Sequence, residues 1–345
     1  MEVTALFHSR EIRDTYFEIL NEALLALESY SNTDVNHLIR NWRFNPNTPM
    51  VARSGSITIG SLIQGIHQGG GKVKVELSSH ALKVPNVLAI ANLRSLGVPA
   101  SFSNSRVFGS SHEKIVALSV GDVHFLVVGS ADFTKARLHR DPIHSSEFSL
   151  LFKVVSKSRP QSVEEYFELF TTDKVQFYRV DPSHKKSRHQ ARKVMVDFLE
   201  SAKGNIFIED QYGIITSTRL RQTYRDAINR GVNVHLRIPS KGKLSHLFAN
   251  MRARSISMNG LTIDRSLSPE GGTAFTHRKL AIAPFAGILL TGSSNQTRRS
   301  LAGRDGEVIC RVNDGPFVRK VFYRVQGKAS EGVNFGLKSG ITASL

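Results

Sequence analysis

His112-Glu113-Lys114-Ile115-Val116-Ala117-Leu118 and His277-Arg278-Lys279-Leu280-Ala281-Ile282-Ala283 read alike. Each opens with His-x-Lys, continues as an apolar, strand-like stretch and reaches a small polar turn. That turn is Gly129-Ser130-Ala131-Asp132 in the first copy and Gly292-Ser293-Ser294-Asn295 in the second. A later acid closes each copy, Glu147 and then Glu307. Lys114 precedes Asp132 by 18 residues, Lys279 precedes Asn295 by 16, and the two histidines lie 165 residues apart. One His-x-Lys carries little information, and Gly-Ser turns are common. Two copies of both, in one order and at similar spacing, point to a duplicated chain. They predict one symmetric site that handles a phosphate.

The repeat extends outward. Ile57-Thr58-Ile59, a helical stretch from Leu62 to His67, Gly69-Gly70-Gly71 and the alternating Val73-Lys74-Val75-Glu76-Leu77 form one series. Ile206-Phe207-Ile208, the stretch Leu220 to Ile228, Gly231 and Val232 to Ile238 form the other. Each series predicts strand, helix, glycine stop and strand, the unit of a parallel sheet. Asn86 to Leu93 and the segment beginning Leu247-Phe248-Ala249-Asn250-Met251 continue as helices. The fold predicted is α/β, with two similar lobes related by pseudo-twofold symmetry. Each lobe is a mixed, mostly parallel sheet flanked by helices.

The divisions predicted are an N-terminal helical element at 1–50, a first lobe at 51–155, a connection at 156–190 and a second lobe at 191–330. A flexible tail fills 331–345. The N-terminal element rests on Ile12, Tyr16, Ile19, Leu20, Ala23, Leu24 and Leu27, which share one helical face. The connection carries an acidic helical stretch at Val163–Glu168 and the basic run His184-Lys185-Lys186-Ser187-Arg188-His189.

With 345 residues and 40% hydrophobic content, the chain is long enough and apolar enough for two cores. The single Cys310 excludes an intrachain disulfide and a cysteine-based zinc cluster. Met1–His8 has no signal-peptide pattern, and no apolar run approaches a membrane span. The expected location is cytoplasmic or peripheral to a membrane. A net charge of +17 attracts polyanions, either nucleic acid or an anionic membrane surface.

These residue types suit a phosphodiester. A neutral imidazole attacks phosphorus and forms a phosphohistidine, while a second, protonated imidazole donates to the leaving oxygen. Two histidines, His112 and His277, supply both roles. Lys114 and Lys279 hold the non-bridging oxygens, where charge builds. Ser130, Ser293 and Asn295 donate to the phosphate, and Asp132 stands at the fourth such position. Glu147 and Glu307 accept from the far ring nitrogen of a histidine and fix its tautomer. The residues predict no metal site and no cofactor. A site completed within one chain predicts a monomer with no obligate protein partner.

With these residues in view, the chain resembles the phospholipase D superfamily, whose pattern is HxKxxxxD followed by GSxN, present twice. The likeness covers roughly residues 50 to 325. Ile208-Glu209-Asp210-Gln211-Tyr212 resembles a stretch of eukaryotic-type phospholipases D, as does Arg299 to Glu307. Gly129 to Ala136 is similar to the GSxNFTKA of the nuclease branch. The resemblance implies two phospholipase D-like lobes, a metal-independent phosphodiesterase, and His112 as nucleophile. It implies phosphate contacts from Lys114, Lys279, Ser130, Ser293 and Asn295, and histidine-orienting roles for Glu147 and Glu307. The substrate implied is a phospholipid, hydrolysed or transferred to an alcohol, or else a nucleic acid. A catalytically weak polyanion-binding homologue is the third reading. The chain departs from the pattern at Ser119 and Pro284, where the family has Asp, and at Asp132, where it has Asn.

Overall fold

The computed structural model describes residues 1–29, 33–50, 57–79, 84–103, 111–134, 145–182, 184, 187–210, 218–238, 261–264, 275–294, 300, 305–326 and 341–344. The first lobe runs β1 (Glu2–Leu6), α1 (Ser9–Ser29), β2 (Val35–Asn41), α2 (Ile59–Gln68), β3 (Lys72–Leu77), α3 (Val84–Ser95) and β4 (Ala100–Phe102). It continues with β5 (Lys114–Val120), β6 (Val123–Gly129), β7 (Ser145–Ser146), β8 (Ser149–Val155) and α4 (Val163–Phe170). The second runs β9 (Val175–Val180), α5 (Gln190–Ser201), β10 (Asn205–Asp210), α6 (Thr218–Asn229), β11 (Asn233–Arg237) and β12 (Leu261–Asp264). It closes with β13 (Phe275–Thr276), β14 (Lys279–Ala283), β15 (Ile288–Gly292), β16 (Glu307–Asn313) and α7 (Gly315–Val325), and β17 (Ile341–Ser344) follows.

The duplication is visible in strand order. One sheet reads β4-β3-β2-β5-β6-β8-β1-β17 and the other β12-β11-β10-β14-β15-β16-β9, equivalent position by position up to β17. The α/β, two-lobed expectation therefore holds, but the sheets are not mostly parallel. Within these two sheets, parallel pairing among the described residues is confined to β2-β3-β4 and β10-β11-β12; the other neighbours are antiparallel. The reason is local. The strands after each His-x-Lys are joined by short turns, at Gly121 and at 284–287, and a short turn can only join antiparallel neighbours.

The equivalence also moves the repeat boundaries. β1 and β2 lie within the stretch expected to be helical, and only α1 fulfils that expectation. Its buried Ile12, Tyr16, Ile19, Leu20 and Ala23 pack on the sheet. Ile57–Ile59 is not a strand. Thr58 caps α2, its hydroxyl accepting from Ser61 N at 3.1 Å while Ser61 Oγ accepts from Thr58 N at 3.0 Å, a reciprocal capping box. The counterpart of β10 is β2. In the stretch expected to connect the lobes, α4 closes the first repeat and β9 opens the second, as the edge of its sheet. Part of the tail, β17, pairs antiparallel with β1. The helix expected around Leu247–Met251, residues 331–340 and 345 of the tail, and Lys185 and Lys186 of the basic run lie outside the described residues.

Three apolar cores fix the layering. α1–α3 cover the outer face of the first sheet, and α5 and α6 cover the outer face of the second. The third core lies between the sheets: Phe148, Phe152 and Leu126 from one side meet Leu280, Leu289 and Val308 from the other, closed by Phe170 of α4 and Phe317 of α7. Because the lobes share this core, their loops are held in a fixed mutual position. Among the described residues, no helix is long and apolar enough to cross a membrane.

Candidate active site

Two short parallel pairings stitch the lobes together directly before the predicted site residues. Phe275 and Thr276 pair with Ser145 and Ser146, and His277 and Glu147 come next. Ser111 bridges Gly306 in parallel, His112 N donates to Gly306 O at 2.7 Å, and His112 and Glu307 come next. Each histidine is thereby set beside the acid of the opposite lobe. His277 Nδ1 lies 3.0 Å from Glu147 Oε2, and His112 Nδ1 lies 3.2 Å from Glu307 Oε2.

The second contact fixes a tautomer. His112 Nδ1 is also 3.0 Å from the carbonyl oxygen of Ser293, which can only accept, so Nδ1 carries the hydrogen. In the neutral ring the lone pair is then on Nε2. Burial, then the ammonium groups of Lys114 and Lys279, push His112 well below the ordinary histidine value, favouring the neutral, nucleophilic ring. Burial raises Glu307 to about 7, against the hydrogen bond from Ser293 and the pull of both lysines.

The Gly-Ser turns serve these acids. Ser130 Oγ donates to Glu147 Oε2 at 2.6 Å and accepts from Phe148 N at 3.0 Å. Ser293 Oγ donates to Glu307 Oε2 at 2.5 Å and accepts from Val308 N at 3.0 Å. A hydroxyl has one proton, so in this arrangement both serines orient acids instead of donating to a phosphate. The glycines allow the approach. A Cβ on Gly129 would stand 2.0 Å from Ser149 Oγ, and one on Gly292, whose φ is +142°, would stand 2.1 Å from Val308 O.

Both lysines are buried, and each ammonium donates back to the carbonyl of its own histidine, Lys114 at 2.9 Å and Lys279 at 2.7 Å. An ammonium has three donors, and this bond uses one. Asp132, also buried, lies 3.6 Å from Lys114 Nζ, so its charge faces a cation. Asn295 lies outside the described residues. Ser119 and Pro284 do not belong to the site. Five residues along a strand place Ser119 roughly 16 Å beyond Lys114, where its hydroxyl is 2.7 Å from His124 Nδ1 and 2.5 Å from Tyr166 Oη. Pro284 sits in the turn after β14. Among the described residues no group of three or more His, Cys, Asp or Glu has the arrangement to hold a metal ion.

Several contributors were not found from sequence. The Trp42 and His112 rings pack in a T-shaped arrangement, with centroids 4.8 Å apart. Trp42 O accepts from Asn86 Nδ2 at 2.9 Å. The residue inside each His-x-Lys ties the lobes with opposite charge. Glu113 accepts from Arg179 Nε at 2.6 Å and lies 3.6 Å from Arg40. Arg278 donates to Phe7 O at 2.7 Å and Glu147 O at 3.2 Å, and lies 3.5 Å from Glu209. Arg40 on β2 and Glu209 on β10 occupy equivalent positions, one residue before the partner of each lysine, so the pair is charge-inverted between lobes. Beside Ser111, Glu113 and Arg179, a polar cavity of about 440 Å³ opens between the lobes.

Residues 195–325 match the family model described as cardiolipin synthase, PLD-like domain. This stretch of the second half is similar to the phospholipase D-like domain. The fold of the chain is similar to phosphatidylserine synthase from Haemophilus influenzae, at 11% identity and TM-score 0.56, over 94% of this chain and 85% of that one. It is also similar to yeast tyrosyl-DNA phosphodiesterase, at 12% identity and TM-score 0.51, over 82% and 85%. Polyphosphate kinase from Porphyromonas gingivalis matches at 13% identity and TM-score 0.55, over 90% of this chain but 45% of that one, so the chain spans less than half of that kinase. A comparison with curated proteins gives no match. The phospholipase D-like sequence signal thus lies in the second half, and the likeness in fold extends across the first.

Proposed function

We propose that this protein is a phosphodiesterase acting on phospholipids, hydrolysing them or transferring the phosphatidyl group to an alcohol. The observation that carries the reading is the reciprocal pairing of each histidine with the other lobe's acid, beside two buried lysines.

The Nε2 lone pair of His112 attacks phosphorus. As the P–N bond forms, the P–O bond to the leaving alcohol breaks, and its electron pair takes a proton from Nε2 of His277. His277 Nδ1–H stays on Glu147, whose charge stabilises the imidazolium before transfer. Lys114 and Lys279 stabilise the charge on the non-bridging oxygens. Water, or an acceptor alcohol, then gives its proton to the neutral His277 Nε2, and its oxygen attacks phosphorus. The P–N bond breaks, and its electron pair returns to His112 Nε2. These steps use only side chains of this chain.

The phospholipid choice is supported by the cardiolipin synthase description of the matching model. A nucleic-acid substrate is the second reading, favoured by the +17 charge. Incubating the protein with labelled phosphatidylglycerol plus a primary alcohol, and separately with single-stranded DNA and RNA, tests both. Release or exchange of the lipid head group, lost in His112→Ala and His277→Ala, is expected. Cleavage of nucleic acid alone would replace the first reading by the second.

A further inference from the structure

We propose that the exposed apolar face of α3 is the surface on which this protein docks to an anionic phospholipid bilayer, which sets the site at the interface. The proposal rests on the phospholipid reading above.

α3 is apolar on both sides. Its inward face buries Ala89, Ile90 and Leu93 against the sheet. Its outward face presents Val84, Val87 and Leu88, at 65%, 55% and 63% exposure, spaced i, i+3 and i+4 so that they form one patch. A water-facing helix normally carries polar residues there. Phe102, 41% exposed, ends β4, the strand that follows this helix. Elsewhere, Val155 at 72% exposure is the last residue of β8 and belongs to no such helical patch.

Charge selects the occupant. From Leu77 through His112 the chain has no Asp or Glu, although it includes Lys83 and Arg94, and the whole chain carries +17. An acid-free apolar helix on a strongly basic protein complements a surface that is anionic outside and apolar beneath. Position links the patch to the chemistry. Asn86, between Val84 and Val87, donates to Trp42 O at 2.9 Å, and the Trp42 ring lies against His112. Docking through this turn brings lipid phosphates to the nucleophile's side of the site.

The test is sedimentation with large unilamellar vesicles of phosphatidylglycerol and phosphatidylcholine, 1:1, against vesicles of phosphatidylcholine alone. The wild-type protein should sediment with the anionic vesicles, and high salt should weaken it. Val87→Asp/Leu88→Asp should bind at least tenfold more weakly, while Val155→Asp binds as wild type. Melting curves establish that the variants are folded, and the milder Leu88→Ser stands in if the double variant is not. Equal vesicle binding by a folded α3 variant would overturn the proposal. So would a wild-type dimer that the α3 variant converts to monomer, since a second copy would then cover the face. Sedimentation needs no turnover. Binding lost only in the α3 variant, without lipid cleavage by wild type, would sink the enzymatic reading and leave docking intact. Lipid cleavage with unchanged binding would do the reverse.

Discussion

Glu147 holds His277 across the lobe boundary, Oε2 to Nδ1 at 3.0 Å, although 130 residues separate them in sequence. The same carboxylate oxygen takes the Ser130 hydroxyl, and Arg278, the residue after His277, donates to the Glu147 carbonyl. Side chain and backbone therefore tie one pair twice. The mirror pair is His112 and Glu307, and neither histidine is oriented by its own lobe.

Glu147→Gln keeps the shape of the acid but lets the amide present its N–H to the ring, which selects the wrong tautomer. Turnover of a phosphatidylglycerol substrate should fall by about ten-thousandfold, the order seen when a triad acid is so replaced. KM should change little, because the loss is in the proton transfer. Steady-state kinetics check this split.

Gly292→Ala should cost more than about 3 kcal/mol, because its Cβ would stand 2.1 Å from a backbone oxygen in a strand pair that cannot open. Gly231→Ala is the comparison. Its φ of +87° is also left-handed, yet nothing lies within 4 Å, so the cost should stay near 1 kcal/mol. Urea unfolding of both variants measures the difference.

Glu307 links stability to pH. Its folded value of about 7 lies above the ordinary 4.5 because of burial. Between those values the unfolded chain has released the proton and the folded chain keeps it, so this group makes stability fall as pH rises. The full effect is about 3 kcal/mol at most, and His112, shifted the opposite way, offsets part of it. Glu307→Gln should therefore gain stability relative to wild type between pH 5 and pH 7. Unfolding free energies at the two pH values check the sign.

Ser119→Ala should lower stability by about 1–3 kcal/mol, because it leaves buried His124 and Tyr166 without their shared partner. Turnover should stay at the wild-type level, since the family's aspartate position lies far along β5 from Lys114.

The site residues were legible because they are repeated, and repetition survives without any knowledge of packing. The pairing of the acids was not, because it depends on parallel bridges such as Ser111 to Gly306 that join distant segments. Strand β2 was missed for a different reason. It is central and buried on both faces, so Val35-Asn36-His37-Leu38-Ile39-Arg40-Asn41 shows no alternation, and two of its polar residues find partners inside. Asn36 donates to Pro160 O, and the His37 ring meets Tyr16 Oη at 2.7 Å. Without β2, the first lobe was expected to begin at residue 51 and not at β1. A Gly-Ser turn at a strand end suggests a hydroxyl free to donate to phosphate, whereas here an acid 17 residues later, for Ser130, takes the proton.

The central claim is that the lobes assemble one site in which His112 is the nucleophile. The most direct measurement is to quench turnover of phosphatidylglycerol labelled at phosphorus in alkali and map the labelled peptide. An acid-labile, alkali-stable label on His112, absent from His112→Ala, is the predicted result. Turnover at the wild-type rate by His112→Ala, or a label on any other residue, would contradict it.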